Sequence, residues 1–364
     1  GGGIWLANRT TGEVSNNIHV NNNTIKQDSV DEVIAIFPVA GPMQKLRLNN
    51  NLMTRLNSGA SDGPVLRVFC GDGLVGGAVT ATIKDVKGFG NSINQLKTDN
   101  IVSGVMQIGN ASLDANDPED VVFTETTITG YFAATTIGLR FDFNQKAKGV
   151  SVHNTYVINE GAFSASNQGI VDTTGEIVMS GGEVENFGTN IAGWEVNDFN
   201  VNLGSIGIKV TNSARGNTCT GMGAPMRVSA RGANVSQVIE GNTLVPVSTG
   251  RCLQLDATNS TMSNLRILNN NFVGTVGSVT AIEKVGSNTI STTQTQGNDF
   301  STCSTLWSNT LGMLLGRNTY DAAITNPVGA INADPGSEFL NTSGAGGTLY
   351  IKETTTGNTG WVGK

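Results

Sequence analysis

Charged residues, aromatic residues and histidines are all scarce in this chain. Of its 364 residues, 14% are charged, 6% are aromatic and two are histidines, whereas ordinary globular domains carry about 25% charged residues. The formal net charge is −7, and the 22 lysines and arginines form no cluster. Neither a nucleic acid nor an anionic membrane surface is therefore an expected partner, while sugars, which need no basic patch, are not excluded.

The chain also lacks long apolar runs and closely spaced cysteines. It has no stretch of about 18 apolar residues, and residues 1–12 (GGGIWLANRTTG) have neither the charged nor the apolar part of a signal peptide. Membrane insertion is therefore not predicted. The cysteines are far apart and include no CxxC, so we expect buried free thiols, no metal site and no cofactor. They are Cys70, Cys219, Cys252 and Cys303.

Glycine and strand-forming residues, by contrast, are abundant. The 47 glycines are mixed with Asn, Thr, Ser, Val and Ile, and no long segment has a helix-forming composition. A turn of the form apolar, any, Asn/Gly, Asn/Thr/Gly, any, apolar recurs between segments that alternate like strands. Its copies are 20–25 (VNNNTI), 48–53 (LNNNLM), 152–157 (VHNTYV), 179–184 (MSGGEV), 214–219 (ARGNTC), 239–244 (IEGNTL), 268–273 (LNNNFV), 295–300 (TQGNDF) and 315–320 (LGRNTY).

The spacing of these turns predicts a solenoid. Their fourth residues lie at positions 23, 51, 155, 182, 217, 242, 271, 298 and 318, and the 104-residue gap after 51 is interpreted as four steps of 26. Degraded copies at 82–86, 108–113 and 128–132 would fill that gap. The predicted fold is all-β, a single-stranded parallel β-helix over residues 1–320 with stacked corner amides. The expected core includes Val20, Leu48, Val152, Met179, Ile239 and Leu268.

Residues 321–364 break the repeat. Pro327 and Pro335 interrupt it, and strand signals at 338–340, 348–352 and 360–362 alternate with Gly-rich turns, which predicts a small three-stranded β-meander. The run 335–364, PGSEFLNTSGAGGTLYIKETTTGNTGWVGK, closely resembles a short C-terminal module of bacteriophage tail fibres and tailspikes. The matching segments are PGS, TLYIKE and GNTGW.

This resemblance implies a right-handed β-helix that forms a homotrimer on the virion, at the phage tail, and binds and often cleaves a bacterial surface polysaccharide. Residues 321–364 would then be a linker and the module at the trimer tip. Strand alternation begins at Ile4 without a capping element, so further coils and a virion-attachment region are expected upstream. The expected apolar contacts between subunits are Phe339, Leu349, Tyr350 and Trp361.

Carboxylates are the candidate chemical groups. His153 occupies the turn position that Asn21, Asn49 and Asn269 hold in other copies, so a Ser–His–Asp triad is not expected. Glycoside hydrolysis needs only two carboxyl groups, one acid and one base or nucleophile. Counting from the turns places several acids near one phase, beside aromatic residues. The predicted catalytic residues are Asp172, Glu195 and Asp198, and the predicted substrate-binding residues are Trp194, Asp142, Arg140 and Phe199.

Three classes of function agree with these features. The first is a tailspike depolymerase, with hydrolysis preferred over lyase chemistry, and the second is a tail fibre that binds its receptor without cleaving it. The third is a bacterial extracellular β-helix, either an adhesin or a pectate-lyase-like enzyme. Lyases of that kind would need clustered Asp ligands for calcium, and the one tight acidic run, 114–120 (DANDPED), is interpreted as a solvated loop.

Overall fold

The computed structural model shows an all-β chain, with 32 strands and no helix among the residues that it describes. These residues are 3–8, 12–28, 32–38, 40–56, 63–70, 81–99, 104–110, 118–132, 136–142, 149–161, 167–172, 178–185, 194–197, 209–210, 215–222, 226–229, 235–246, 250–258, 262–274, 279–290, 293–300, 302–303, 305–308, 319–322, 328, 335–336, 338–341, 348–354 and 358–364.

The chain divides into two compact units, Gly1–Asn197 and Asp198–Lys364. The strands described in the first unit are β1 (Ile4–Asn8), β2 (Ser15–Asn21), β3 (Thr24–Gln27), β4 (Ile34–Pro38), β5 (Met43–Asn49), β6 (Leu52–Arg55), β7 (Leu66–Cys70), β8 (Ile83–Phe89), β9 (Ser92–Asp99), β10 (Met106–Asn110), β11 (Glu119–Thr124), β12 (Thr127–Phe132), β13 (Ile137–Asp142), β14 (Ser151–Asn159), β15 (Gln168–Asp172), β16 (Val178–Glu185) and β17 (Trp194–Asn197).

Strands of the first unit pair in parallel. One sheet has the order β1-β4-β7-β10-β13-β15-β17, and a second contains β2, β5, β8, β11, β14 and β16 in succession. The strands β3, β6, β9 and β12 pair in succession in the same sheet, and β12 pairs with β14. The nine residues of β14 continue across the corner that separates two strands in earlier repeats. Each repeat of the chain thus adds one strand to each sheet, next to the strand that the previous repeat added. This topology is compatible with a solenoid.

The second unit is built in the same way. Its parallel strands include β20-β23-β26-β28, β19-β22-β25 and β18-β21-β24-β27. Its described strands are β18 (Lys209–Val210), β19 (Arg215–Met222), β20 (Met226–Ser229), β21 (Val235–Glu240), β22 (Thr243–Pro246), β23 (Arg251–Asp256), β24 (Met262–Leu268), β25 (Asn271–Phe272), β26 (Thr280–Val285), β27 (Thr293–Gln296), β28 (Thr305–Ser308), β29 (Thr319–Ala322), β30 (Glu338–Asn341), β31 (Thr348–Lys352) and β32 (Trp361–Gly363).

The recurring turn has one backbone signature, a left-handed residue at its third position. Asn and Gly tolerate that conformation better than other residues do, which explains their frequency in the repeat. In the first unit these residues are Asn22, Asn50, Gly90, Glu125, Asn154 and Gly181, with φ between 49° and 69°. The equivalents in the second unit are Gly241, Asn269 and Gly297, with φ between 54° and 72°.

Stacked amides follow the left-handed residue, as the sequence predicted. Asn51 Nδ2 donates to Asn91 Oδ1 at 3.0 Å, and Asn23 Nδ2 donates to Asn51 Oδ1 at 2.9 Å. In the second unit, Asn242 donates in the same way to Asn270, and Asn270 donates to Asn298. We call these the first amide row (Asn23, Asn51, Asn91) and the second amide row (Asn242, Asn270, Asn298).

The predicted copies inside the 104-residue gap are wrong. The true copies are 88–93 (GFGNSI) and 123–128 (FTETTI), because Gly90 and Glu125 are the left-handed residues and Asn91 and Thr126 follow them. The gap therefore contains steps of 40, 35 and 29 residues, not four of 26. The first copy was not recognised because its first residue is Gly88 rather than a larger apolar residue. Phe123 of the next repeat fills the inward space beside Gly88, where a Cβ would lie 2.2 Å from the Phe123 ring.

The core is confirmed with one correction. Val20, Leu48, Val152, Met179 and Ile239 are buried as predicted, whereas Leu268 is only half-buried. The fully buried residue there is Ile267, which pairs with Ile239 in register. Three consecutive asparagines made the frame ambiguous. The turn is 267–272 (ILNNNF), and Asn270 rather than Asn271 belongs to the amide row.

The C-terminal residues form the predicted antiparallel meander of β30, β31 and β32, and β29 joins it parallel to β30. Phe339 packs edge-on against Trp361, with 6.4 Å between ring centroids, and both are buried within the single chain. The expectation that these two side chains pack between subunits is therefore wrong. Among the described side chains of this sheet, Leu349 and Val362 are the large apolar ones that are exposed, at 37% and 38%.

Candidate functional site on the first sheet

The predicted site residues lie on three neighbouring strands of the first sheet. Arg140 and Asp142 are on β13, Asp172 is on β15, and Trp194 and Glu195 are on β17. Arg140 is described with its side chain, and the other four by backbone position. Asp198 and Phe199 lie outside the described residues.

Strand register divides this group. Arg140 pairs with Val171, which pairs with Glu195, so these positions form one row across the sheet. Asp142 lies two residues after Arg140 and shares its parity. Backbone register therefore brings Arg140, Asp142 and Glu195 to the same set of alternating positions.

Asp172 and Trp194 belong to the other parity. Asp172 pairs with Phe141, and Trp194 pairs with Ile170. The row before Asp172 contains Val68, Ile108 and Phe141, and the row before Trp194 contains Leu66, Met106, Leu139 and Ile170, all fully buried. The interpretation that all the acids share one outward face agrees with the register of Glu195 and disagrees with that of Asp172.

The row that contains Arg140 crosses the seven strands of this sheet that belong to the first unit. Because neighbouring strands are about 4.8 Å apart, such a row sets side chains at regular intervals along a line. It consists of Trp5, Ala35, Arg67, Gln107, Arg140, Val171 and Glu195. We call it the polar row, after Arg67, Gln107, Arg140 and Glu195.

Arg67 is held rigidly within the polar row. Its Nη1 donates to Glu32 Oε1 at 3.0 Å, and its guanidinium lies 4.1 Å above the ring of Phe69. An ion pair on one side and a cation–π contact on the other fix the plane of the guanidinium. Its Nε is nevertheless buried without a hydrogen-bond partner among the described residues.

Gln107 is the neighbour of Arg67 on the next strand. It is only 4% exposed, yet its Oε1 has no hydrogen-bond partner in the part of the chain that the structure describes. A buried polar atom without a partner costs about 1–3 kcal/mol. An unmet donor on Arg67 and an unmet acceptor on Gln107 therefore belong to neighbouring residues of the polar row.

This pair of atoms has a specific chemical requirement. A hydroxyl group can accept from Arg67 Nε and donate to Gln107 Oε1 at the same time, whereas a carboxylate or phosphate cannot donate. Trp5, at the start of the row, is 48% exposed and offers an indole face. Trp5, Arg67 and Gln107 were missed by sequence reasoning, because the repeat lengths that align them are unequal.

His153 has the row position that the sequence predicted, after Thr124 and before Ser180 on neighbouring strands. Its Nδ1 is hydrogen-bonded to the hydroxyl of Ser180, and its Nε2 to that of Ser151 at 3.1 Å. Within the described residues, no three His, Cys, Asp or Glu side chains are grouped so that they could hold a metal ion.

No family model, curated protein or solved structure matches this chain.

Proposed function

We propose that this protein is a parallel β-helix of the tailspike type that binds a bacterial surface polysaccharide through the polar row. The turn repeat and the parallel strand order support a β-helix, with one strand added to each sheet per repeat. The PGS, TLYIKE and GNTGW segments support a tailspike or tail-fibre origin. In this proposal the protein acts on the virion, at the surface of the host cell.

One observation supports a sugar as the ligand, the unmet pair of Arg67 Nε and Gln107 Oε1. Sugars present dense hydroxyl groups, each able to accept and donate. A hydroxyl group that reached both atoms would meet the donor and the acceptor at once. A carbohydrate chain running along the sheet would meet Trp5 at one end of the row and Arg140 towards the other.

Hydrolysis is a second proposal, supported by carboxylates of matching parity. Asp142 and Glu195 lie on β13 and β17, with β15 between them, and Asp142 is two residues beyond the row that contains Glu195, so their backbone positions are about 12 Å apart. Carboxyl groups of inverting glycosidases are about 6.5–9.5 Å apart, a range that side chains leaning towards each other would reach. Asp172 and Asp198 complete the set of proposed catalytic carboxylates, and the alternatives are lyase chemistry and receptor binding without cleavage.

A homotrimer is part of the same proposal. The sheet of β29 to β32 encloses Phe339 and Trp361 but exposes Leu349 and Val362. Three such sheets, packed at a common axis, would bury those two apolar side chains and protect the exposed edge strands.

Binding is tested with the variant Gln107→Met, which keeps the side-chain volume and removes the unmet acceptor. The folded protein should be as stable as the original or more so, because a buried orphan atom disappears. Its affinity should fall at least tenfold for the polysaccharide that the unmodified protein selects from an array of purified capsules and lipopolysaccharide O-chains. Gln44→Met on β5 is the matched control and should bind normally. Unchanged affinity in Gln107→Met, or no binding by the unmodified protein, would contradict the proposed site.

Cleavage is tested separately with Asp142→Asn, Asp172→Asn, Glu195→Gln and Asp198→Asn. The size distribution of the selected polysaccharide is followed by chromatography, and the absorbance of unsaturated uronate identifies a lyase. At least two variants should lose activity by orders of magnitude while keeping affinity. If the unmodified protein shortens no chain, hydrolysis is wrong and receptor binding remains.

A further inference from the structure

Several nucleophilic side chains have no part in the proposed function. Cys70, Cys252 and Cys303 are buried free thiols, as the sequence predicted. Ser180 differs from them, because it is half-buried and its hydroxyl is hydrogen-bonded to a ring nitrogen of His153. A nucleophile and a base are thus in contact at the surface of the first unit.

Ser180 and His153 belong to an outward row on the second sheet. The residues that precede them in the chain, Val152 and Met179, are buried in the core. Strand register joins the members of this row in the order Asn21, Asn49, Phe89, Thr124, His153 and Ser180. Neighbouring positions in such a row are about 4.8 Å apart at the backbone, which brings the two side chains together.

Both ring nitrogens of His153 contact hydroxyl groups. Nδ1 is hydrogen-bonded to Ser180 Oγ on β16, and Nε2 to Ser151 Oγ on β14 at 3.1 Å. The tautomer that carries hydrogen on Nε2 satisfies both bonds, because Nε2 then donates to Ser151 and Nδ1 accepts from the Ser180 hydroxyl. A base that holds the proton of a serine, and a third group that holds the base, is the arrangement that activates a serine nucleophile.

A side-chain amide lies beside this serine. Asn154 follows His153 at the left-handed position of the corner and is exposed. Its Oδ1 occupies the space where a Cβ on Gly181 would lie, and Gly181 is the residue after Ser180. The Nδ2 donor of the same amide is therefore next to the serine, where it can stabilise the oxyanion of an ester under attack.

We propose that Ser180 and His153 are the catalytic residues of an esterase that removes short acyl groups from sugar hydroxyls. Ser180 Oγ attacks the ester carbonyl carbon while its proton passes to His153 Nδ1. The bond from that carbon to the sugar oxygen breaks, and the sugar oxygen takes the proton. Water then attacks the acyl-serine and gives a proton to Nδ1, and the carboxylic acid leaves as Ser180 recovers this proton. One ester and one water become one alcohol and one acid.

The surface around the two residues favours a sugar ester. Phe89 is 46% exposed and lies in the same row, on β8, with β11 between it and the strand of His153. An oligosaccharide stacked on the Phe89 ring would extend along the row to Ser180. An open sheet face suits a short acyl group better than a long one, which needs an apolar enclosure. The sugar rests on the proposed function, whereas the esterase chemistry does not.

The chemistry is tested with p-nitrophenyl acetate, which carries no sugar. The unmodified protein should hydrolyse it, and Ser180→Ala and His153→Asn should each lower kcat/KM about a hundredfold. Asparagine is the residue type at this position in other repeats, so His153→Asn should fold. Two controls should keep the full rate. Ser92→Ala removes a half-buried serine elsewhere on the second sheet, and His19→Asn removes the other histidine, which is exposed.

Two outcomes would overturn the catalytic assignment. An unchanged rate in Ser180→Ala would show that an imidazole, rather than the serine, attacks the ester. Hydrolysis by the unmodified protein that is no faster than that of His153→Asn would show that the two residues do not form a catalytic site.

Ser151 is a positioning residue in this proposal, because it acts through the imidazole. Ser151→Ala should lower kcat about tenfold and leave KM unchanged, since the imidazole loses the acceptor that orients it. Ser151→Thr keeps a hydroxyl at that place and should recover most of the rate. Equal rates in the two variants would contradict this role.

The sugar is tested by measuring acetate released from O-acetylated capsules and lipopolysaccharide O-chains. Release that is lost in Ser180→Ala would support the proposal. Hydrolysis of p-nitrophenyl acetate without acetate release from any polysaccharide that the protein binds would overturn the sugar ester and leave the catalytic residues in place. Ester hydrolysis by a protein that binds no polysaccharide would contradict the proposed function but not the esterase.

Discussion

In the first unit, the first amide row is followed by repeats that have threonine at the same position of the corner. The side chains of the two groups differ in their hydrogen bonds. Asn51 makes side-chain bonds to both neighbouring amides and donates to the Val20 carbonyl at 2.7 Å. Register places Thr126 and then Thr155 in the same row after Asn91. Both threonines are buried, and neither hydroxyl has a hydrogen-bond partner among the described residues.

The backbone differs little between the two regions. Asn50 and Glu125 precede Asn51 and Thr126, and both have φ of 53°. Backbone bonds continue through the change, since the amide of Thr127 donates to the Asn91 carbonyl at 2.8 Å. The left-handed residue and the parallel ladder thus suffice for the corner, and the asparagine amides add stability to a geometry that exists without them.

The largest effect is expected from Asn51→Ala. It would remove the side-chain bonds of Asn51 to the Val20 carbonyl, to the Asn91 amide oxygen and from the Asn23 amide. The Asn91 oxygen would keep only the bond from the backbone amide of residue 51. We expect a loss of about 3 kcal/mol in the free energy of unfolding, measured by denaturant titration. Asn49→Ala, two residues earlier and half-buried, is the control and should change stability little. Equal losses in both variants would show that the amide row has no special role.

Thr126→Val should act in the opposite direction. The two side chains have nearly the same shape, and valine removes a buried hydroxyl without a partner, so we expect a gain of about 1 kcal/mol. Thr129→Val provides the contrast, because the Thr129 hydroxyl donates to Asn94 Oδ1 at 2.7 Å and its removal should destabilise the protein. If both variants raise the stability, or both lower it, the hydrogen bond of the hydroxyl group does not decide the effect of its removal.

The smallest effect is expected at the left-handed position itself. Glu125 has φ of 53°, where the equivalent residues in neighbouring repeats are Gly90 and Asn154. Glu125→Asn should stabilise the first unit by about 0.5 kcal/mol, because asparagine tolerates this conformation better. Glu125→Gln keeps the strain and should leave the unfolding midpoint unchanged. A gain as large in Glu125→Gln would point to the charge rather than to the backbone.

The repeat was recognised in the sequence where asparagine or glycine occupies the left-handed position. It was missed at Glu125 and at Gly88, where a tolerated but unusual residue and an inward glycine break the pattern. The one-residue error at Leu268 has a related cause. A run of three asparagines fits two frames, and only pairing with Ile239 selects the frame in which Ile267 is buried.

The candidate site was harder to predict than the fold. Arg140 and Glu195 were both named as site residues, and strand register places them in one row. Arg67 and Gln107, the neighbours that give this row its unmet atoms, were not predicted. The steps from 67 to 107, 140, 171 and 195 are 40, 33, 31 and 24 residues. Counting from the turns cannot find positions that are aligned through segments of such different lengths.

Composition and local alternation were enough to determine an all-β chain with left-handed corners, a recurrent apolar core and a C-terminal meander. These features depend on residues close together in sequence, because the period of two along a strand and the preference of Asn and Gly for a left-handed turn are local properties. Which side chains become neighbours across the sheet was decided by the tertiary structure alone. Parallel pairing joins residues that are tens of positions apart, and a shift of one residue along the chain moves a position such as Asp172 to the other parity.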